Sequence, residues 1–380
     1  MILFLLTFFV VYGGAHLYLF AKIRGTFHLS IGANTGLIIF MVIMILAPIL
    51  VRISERYGYE TFARFMSYTG YIWMGVLFLF FVSSLFFDLY RLLTYTGSLI
   101  LSRDLSHLAI MPMHAFMIPL LISLGINAYG YFEAKNIRIE KITIQSSKIP
   151  EAAGRIRIVQ MSDVHIGLIV RDERLKRIVE EIKKAEPDIL VATGDLLDGQ
   201  INRLEEPLAL LQDINPRYGK FAITGNHEFF AGIDQAVAFM KEAGFVVLRA
   251  EALNVAGMIN IAGVDDPTGI SFGLARPVSE KALLSGLPGQ YFTILLKHQP
   301  NVDNDAGEYF NLQLSGHTHG GQIFPFNFVT KRFFSFNRGY FNLTYHSHLY
   351  VSRGAGTWGP PVRFLSPPEI AVIDLIHDKG

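Results

Sequence analysis

Cysteine is absent from the 380-residue chain. Its absence excludes disulfides, thiolate metal sites, iron–sulfur clusters and a cysteine nucleophile, and it leaves the redox compartment open. Charge is scarce as well. Asp, Glu, Lys and Arg make up 17% of residues, where a soluble domain carries roughly a quarter. The mean hydropathy of +0.36 is too high for a disordered chain. With 33 basic and 32 acidic residues the net charge is +1, so the electrostatic footprint of a nucleic-acid binder is missing.

The scarcity of charge is local. Residues 1–130 hold eleven of the 65 charged side chains. Charge-free runs cover 1–21, 25–51, 65–87 and 105–132, each about the 20 apolar residues that a helix needs to cross a hydrocarbon core. A lone signal peptide does not fit, because the first run lacks a basic leader and three more runs succeed it. The expectation is a four-helix transmembrane domain over 1–132, a connector over 133–154, and a second domain over 155–380. Tyr12, Tyr18, Tyr68, Tyr71, Trp73, Tyr90 and Tyr95 fall toward the run ends, where aromatic rings settle at headgroup level. Pro112 and Pro119 suggest a kink in the fourth span.

Four spans put both termini on one side. That side carries Arg52, Arg56, Arg64, Lys135, Arg138 and Lys141 against Lys22, Arg24, Arg91 and Arg103 on the opposite side. Six against four leans toward a cytoplasmic second domain at a cell (inner) membrane. His107 and His114, with Met111 and Met113 between them, would share a helix face at a spacing of seven; packing and interfacial roles explain them better than a metal or haem. No acidic residue falls inside a run, so an ion pathway has little support and the first domain reads as an anchor.

From 155 onward, short apolar runs alternate with helical patterns. Residues 155–161, 188–193, 220–224, 258–264, 291–296, 312–314 and 370–376 read as strands. Helices are expected over 172–185, 233–243, 278–284 and 302–309. In the first of these, Leu175, Ile178, Val179 and Ile182 keep the spacing of one buried helix face. Alternation of this kind predicts an α/β domain.

Polar residues gather at the strand ends. Asp163-Val164-His165 comes after the first strand, Gly194-Asp195 after the second, and Gly225-Asn226-His227-Glu228 after the third. Later come Lys297-His298 and Gly316-His317-Thr318-His319. Ligands of open α/β sheets collect at such strand ends. Nitrogen and oxygen donors without sulfur suit divalent cations. Asp163, His165, Asp195, Asn226, His298, His317 and His319 are too many for one site, but they fit two sites sharing Asp195. Paired metals about 3.5–4 Å apart clamp a phosphoryl group and activate a water for in-line attack. The bland alternative is a set of turn residues, with Asp163 and Asp195 capping helices.

In this order the five elements resemble the calcineurin-like metallophosphoesterases, whose pattern is D-x-H, G-D, G-N-H-[DE], a lone His and G-H-x-H. The resemblance covers about 150–380 and implies a four-layer αββα sandwich of two sheets flanked by helices. It implies that Asp163, His165 and His319 bind one metal, that Asn226, His298 and His317 bind the other, and that Asp195 bridges. His227 matches the family's histidine that contacts the phosphoryl oxygen or protonates the leaving group, and Glu228 would pair with it or with another supporting group. The segments 263–267, 316–322 and 351–361, with the anchor, are similar to a bacterial membrane-associated branch that includes UDP-2,3-diacylglucosamine hydrolases.

The expected activity is therefore hydrolysis of a phosphodiester or pyrophosphate bond by two divalent metal ions, with manganese favoured over iron or zinc. The expected substrate is a phospholipid or lipid-linked nucleotide at the bilayer. A phosphomonoesterase or protein phosphatase, and a membrane receptor with structural metals, are the alternatives. Residues 323–341 place eight aromatics beside Lys331, Arg332 and Arg338 with no acid. That composition suits a headgroup-contacting loop or, more simply, strand edges packed on the core. Arg353 and Arg363 lie in Gly/Pro-rich turns, positioned either to meet a diphosphate or to stay solvated.

Overall fold

The computed structural model describes residues 2–199, 204–343 and 347–378. The chain divides into two compact units, Met1–Phe132 with Gly359–Val362, and Glu133–Trp358 with Arg363–Gly380.

The first unit contains α1 (Ile2–Thr26), α2 (Ile31–Arg56), α3 (Glu60–Leu101) and α4 (Pro112–Glu133). All four are long and apolar enough to cross a membrane. Ser30 starts α2 by accepting the Ala33 N–H on its hydroxyl. Small residues let α2 and α3 approach closely: a Cβ on Gly70 would lie 2.6 Å from that of Ala47. Tyr12, Leu19, Met41, Leu77, Phe80 and Phe116 bring all four helices into one cluster. Buried His16 is fully engaged, its Nδ1 on the Tyr12 carbonyl and its Nε2 accepting the Trp73 indole N–H at 2.9 Å.

Three expectations change here. α3 has 42 residues, about 63 Å of helix at 1.5 Å per residue, and runs on past the charge-free stretch that ends at 87. Asp88 does not end it, because Lys22 pairs with the carboxylate and the Tyr18 hydroxyl donates to it at 2.5 Å. Pro112 does not kink α4 but opens it, in the first turn, where the N–H has no intrahelical partner to lose; Pro119 alone is interior. His107 sits in a separate 3₁₀ turn, Ser106–Leu108, so it shares no helix face with His114.

Among the described residues the second unit has twelve strands: β1 (Arg138–Ser146), β2 (Arg155–Met161), β3 (Ile189–Thr193), β4 (Lys220–Ile223), β5 (Phe245–Val247), β6 (Glu251–Val255), β7 (Ile259–Gly263), β8 (Phe292–Leu296), β9 (Leu312–Ser315), β10 (Gly339–Asn342), β11 (His348–Val351) and β12 (Glu369–His377). Its helices are α5 (Asp172–Lys184), α6 (Glu205–Gln212), α7 (Asn226–Ala231), α8 (Ile233–Glu242), α9 (Pro267–Ser271), α10 (Glu280–Ser285) and α11 (Asn327–Phe333). The strands form two six-stranded sheets, ordered β1-β12-β2-β3-β4-β5 and β10-β11-β9-β8-β7-β6.

Side-chain alternation creates the layers. In β2, Ile156 and Ile158 face the second sheet while Val159 and Met161 face α5; Ile189 and Val191 in β3 alternate with Leu190 and Ala192 in the same way. Opposite them, Ile259 and Ile261 of β7 and Ile294 and Leu296 of β8 complete the core between the sheets. Ala262 and Leu295 turn outward beneath α10 and Phe310. The result is the four-layer sandwich, with strands buried on both faces. Residues 133–154, read as a connector, contain β1, which pairs in parallel with β12 over nine residues. The helix expected over 302–309 is only the 3₁₀ turn Asn304–Ala306.

Candidate metal centre

Every polar cluster lies just past a strand's C-terminal end: β2 for Asp163 and His165, β3 for Asp195, β4 for Asn226 and His227, β8 for His298, β9 for His317 and His319. β2, β3 and β4 run parallel in one sheet, as do β8 and β9 in the other. Beneath the site, Gln160 of β2 donates to the Thr193 hydroxyl at 2.8 Å and to the Ser315 carbonyl at 3.0 Å, tying the two sheets together.

The loops are conformationally unusual. Asp163, His165, Asp195, His317 and His319 all have φ between 50 and 70°, a region that costs a non-glycine residue on the order of 1–2 kcal/mol. Neighbouring backbone holds them there. Asp163 N–H donates to the Gly194 carbonyl, His165 N–H to the Asp195 carbonyl, and His317 N–H to both Asp163 oxygens at 3.0 Å. Gly316 permits the approach, since a Cβ there would stand 2.0 Å from the Ser162 hydroxyl.

The ligand atoms converge in groups within 4.8 Å: Asp163, His165 and His319; His165, Asp195 and His227; Asp195, His298 and His317. His165 Nε2 is 3.1 Å from His319 Nε2, and His317 Nδ1 is 3.2 Å from His298 Nε2. Asp195 Oδ2 lies between the pairs, 3.8 Å from His165 Nε2 and 3.2 Å from His298 Nε2. The Thr193 carbonyl engages His298 Nδ1 at 2.8 Å, which aims Nε2 into the site. Asn226 contributes a buried Oδ1 that meets no hydrogen-bond donor. An orphaned amide oxygen beside clustered imidazoles and carboxylates is what a divalent cation of intermediate hardness requires, so the residues fit two metals.

Electrostatics of three imidazoles agrees, while His298 differs: burial disfavours its charge, but Asp195 and Asp163 hold it well above the usual range in the metal-free protein. Burial pulls His165 down to about 3 and His317 to about 4, and burial together with Arg363 holds His319 well below the usual range. All three rings are therefore neutral, the form that binds metal. Burial and the nearby Asp195 push Asp163 up to about 6, against the charge of His298. Burial opposes ionisation of Asp195 too, yet His298, His227 and His165 keep it well below the carboxylate range.

His227 stands apart. Its Nδ1 is 2.9 Å from Asp198 Oδ1, which leaves Nε2 for a substrate. Burial disfavours its charge, but Asp195 and Asp198 outweigh that and raise it to about 9. Glu228 does not pair with it. That carboxylate accepts the backbone N–H groups of Asp195, Leu197 and Gly225, fixing the Asp195 turn. Sequence reasoning misses Asp198; its signal is a second carboxylate three residues past Asp195 in a turn bounded by Gly194 and Gly199. Neither Arg353 nor Arg363 stays solvated: Arg353 pairs with Glu140 and Glu369, and Arg363 is fully buried.

A family model described as calcineurin-like phosphoesterase matches residues 156–321. An uncharacterized metallophosphoesterase of Aquifex aeolicus is 39% identical over 260 residues, covering 68% of this chain and 99% of that protein. One from Campylobacter jejuni is 34% identical over 287 residues, 75% of this chain and 73% of its own. A Danio rerio protein named transmembrane protein with metallophosphoesterase domain is 32% identical over 273 residues, 68% and 62% respectively. Five histidine- and carboxylate-bearing elements in order, on parallel strands of a two-sheet sandwich, thus coincide with sequence relatives that share most of this domain: the chain belongs to the calcineurin-like phosphoesterases.

Proposed function

We propose that this membrane-anchored phosphoesterase hydrolyses a phosphodiester or pyrophosphate bond of a lipid-linked nucleotide, UDP-2,3-diacylglucosamine being the model substrate. Asp163, His165 and His319 hold one divalent metal, Asn226, His298 and His317 the other, and Asp195 both, with manganese the expected ion. When bound, the pair neutralises phosphoryl charge and activates water. His227, oriented by Asp198 through Nδ1, would donate from Nε2 to the leaving oxygen as the P–O bond breaks. The catalytic unit is assigned to the cytoplasmic side of the inner membrane, on the count of basic residues flanking the spans.

The observation that carries this reading is the position of Asp195 Oδ2 between the two histidine pairs. An apolar substrate part is supported by Phe230 and Trp358, each about half exposed, with ring centroids 5.5 and 6.0 Å from that of His227. The exposed Phe324, Phe326, Phe328 and Phe333 beside Lys331 and Arg332 support a lipid-facing segment. They lie on and around α11 rather than on strand edges.

The test is a hydrolysis panel on the purified full-length protein with Mn²⁺ and after chelation. UDP-2,3-diacylglucosamine, bis-p-nitrophenyl phosphate and p-nitrophenyl phosphate are compared. Chelation should abolish turnover, and the lipid-linked nucleotide should give the highest kcat/KM. Faster monoester turnover would replace this reading with a phosphomonoesterase, and turnover insensitive to chelation would remove the metals from the chemistry.

A further inference from the structure

Arg363 is the bulkiest fully buried side chain among the described residues, at 0% exposure. Its guanidinium meets carbonyls rather than a carboxylate. Nε donates to Gly356 O at 3.1 Å; Nη1 to His319 O at 3.1 Å and Ser366 O at 3.3 Å; Nη2 to Gly356 O at 2.6 Å and Gly354 O at 3.2 Å, with His319 Nδ1 also at 3.1 Å. Burying a charge that no carboxylate contacts directly is costly even with Asp163 and Glu369 acting on it from nearby, and a hydrophobe of similar size would fill the space more cheaply. What a hydrophobe cannot do is gather carbonyls from separate loops through the five donors of a planar fork.

Those loops carry one half of the metal centre. The 354–356 segment lies directly under Asp163–His165: Ala355 N–H donates to Ser162 O and Gly356 N–H to Asp163 O, both at 2.9 Å. The approach is so close that a Cβ on Gly356 would stand 1.9 Å from Val164 O. Another of the carbonyls belongs to His319 itself, held again by the Ser366 hydroxyl at 2.7 Å. Arg363 therefore knits the loop bearing His319 to the brace beneath Asp163 and His165. Its hydrogen bonds do not extend to Asn226, His298 or Asp195, which are held by α7, Thr193 and Glu228; His317 shares the His319 loop, but its ring stands against His298.

We propose that Arg363 is a positioning residue that pre-organises the Asp163–His165–His319 half of the centre, so that its loss empties that half while the other still loads. The proposal rests on the two-metal reading of the site. Supporting groups behind metal ligands are typically worth about 10–100-fold in affinity.

The test titrates full-length wild type, Arg363→Met and Arg363→Lys with Mn²⁺, following stoichiometry by calorimetry and pairing by electron paramagnetic resonance. Wild type should bind two ions and show the signal of a coupled pair. Arg363→Met should keep one ion at wild-type affinity, weaken the second about 10–100-fold, and show the six-line spectrum of isolated Mn²⁺. Arg363→Lys, with the charge but not the fork, should fall between and keep the proposal testable if Arg363→Met does not express. Two ions bound as in wild type, or equal loss of both from a variant that still melts cooperatively, would overturn the proposal. Fewer than two ions in the wild type would instead sink the two-metal reading beneath it.

Discussion

At the scale of single residues, Asp195 and His227 carry separable roles. Asp195 faces both histidine pairs, so Asp195→Ala should lower bound metal from two ions to fewer than one and abolish turnover, as metal analysis of the purified variant will register. His227 is the proposed proton donor rather than a metal ligand, so His227→Gln should retain both ions while kcat falls about 10²–10⁴-fold. The deficit should shrink for p-nitrophenyl esters, whose leaving group needs no proton. The Asp198 pairing has a pH signature in the metal-free protein. His227 is raised from 6.5 to about 9, so its stabilisation is fully present below about pH 6.5 and is lost as pH rises through about 9. Asp198→Asn should therefore lower Tm more at pH 6 than at pH 10; an equal drop at both would contradict the ion pair.

At the scale of elements, strands and loops differ in how much of them the sequence discloses. β2, β3 and β8 are short apolar runs between polar turns, and local patterning suffices to place them and the donors at their ends. β1 is different, because Arg138, Glu140 and Lys141 mask its alternation and only pairing with β12, more than 200 residues away, makes it a strand. Charge counting shortens α3 because it does not reveal that Asp88 has Lys22 as a partner. Left-handed φ at five of the donor residues, and the burial of Arg363, arise from loops meeting across the two sheets and leave no periodic trace. These contacts give a paired test. Gly356→Ala drives a methyl group against Val164 O and should cost about 1–3 kcal/mol, whereas Gly286→Ala, with nothing within 4 Å, should shift Tm little. Thermal melts of the two variants make the comparison.

On the scale of the whole molecule, a nearly charge-free third is joined to a metal-binding sandwich in one chain. Four apolar helices should keep the protein in the membrane pellet through alkaline carbonate extraction, and release into the supernatant would contradict the anchor. Such tethering would raise the concentration of the proposed lipid-linked substrate at the catalytic unit without any added affinity. The central claim is that Asp195 is shared between two cations. Anomalous diffraction at the manganese edge from Mn²⁺-loaded crystals tests it most directly. Two peaks about 3.5–4 Å apart, flanking the Asp195 carboxylate, are predicted; a single peak, or peaks away from Asp195, would contradict the claim.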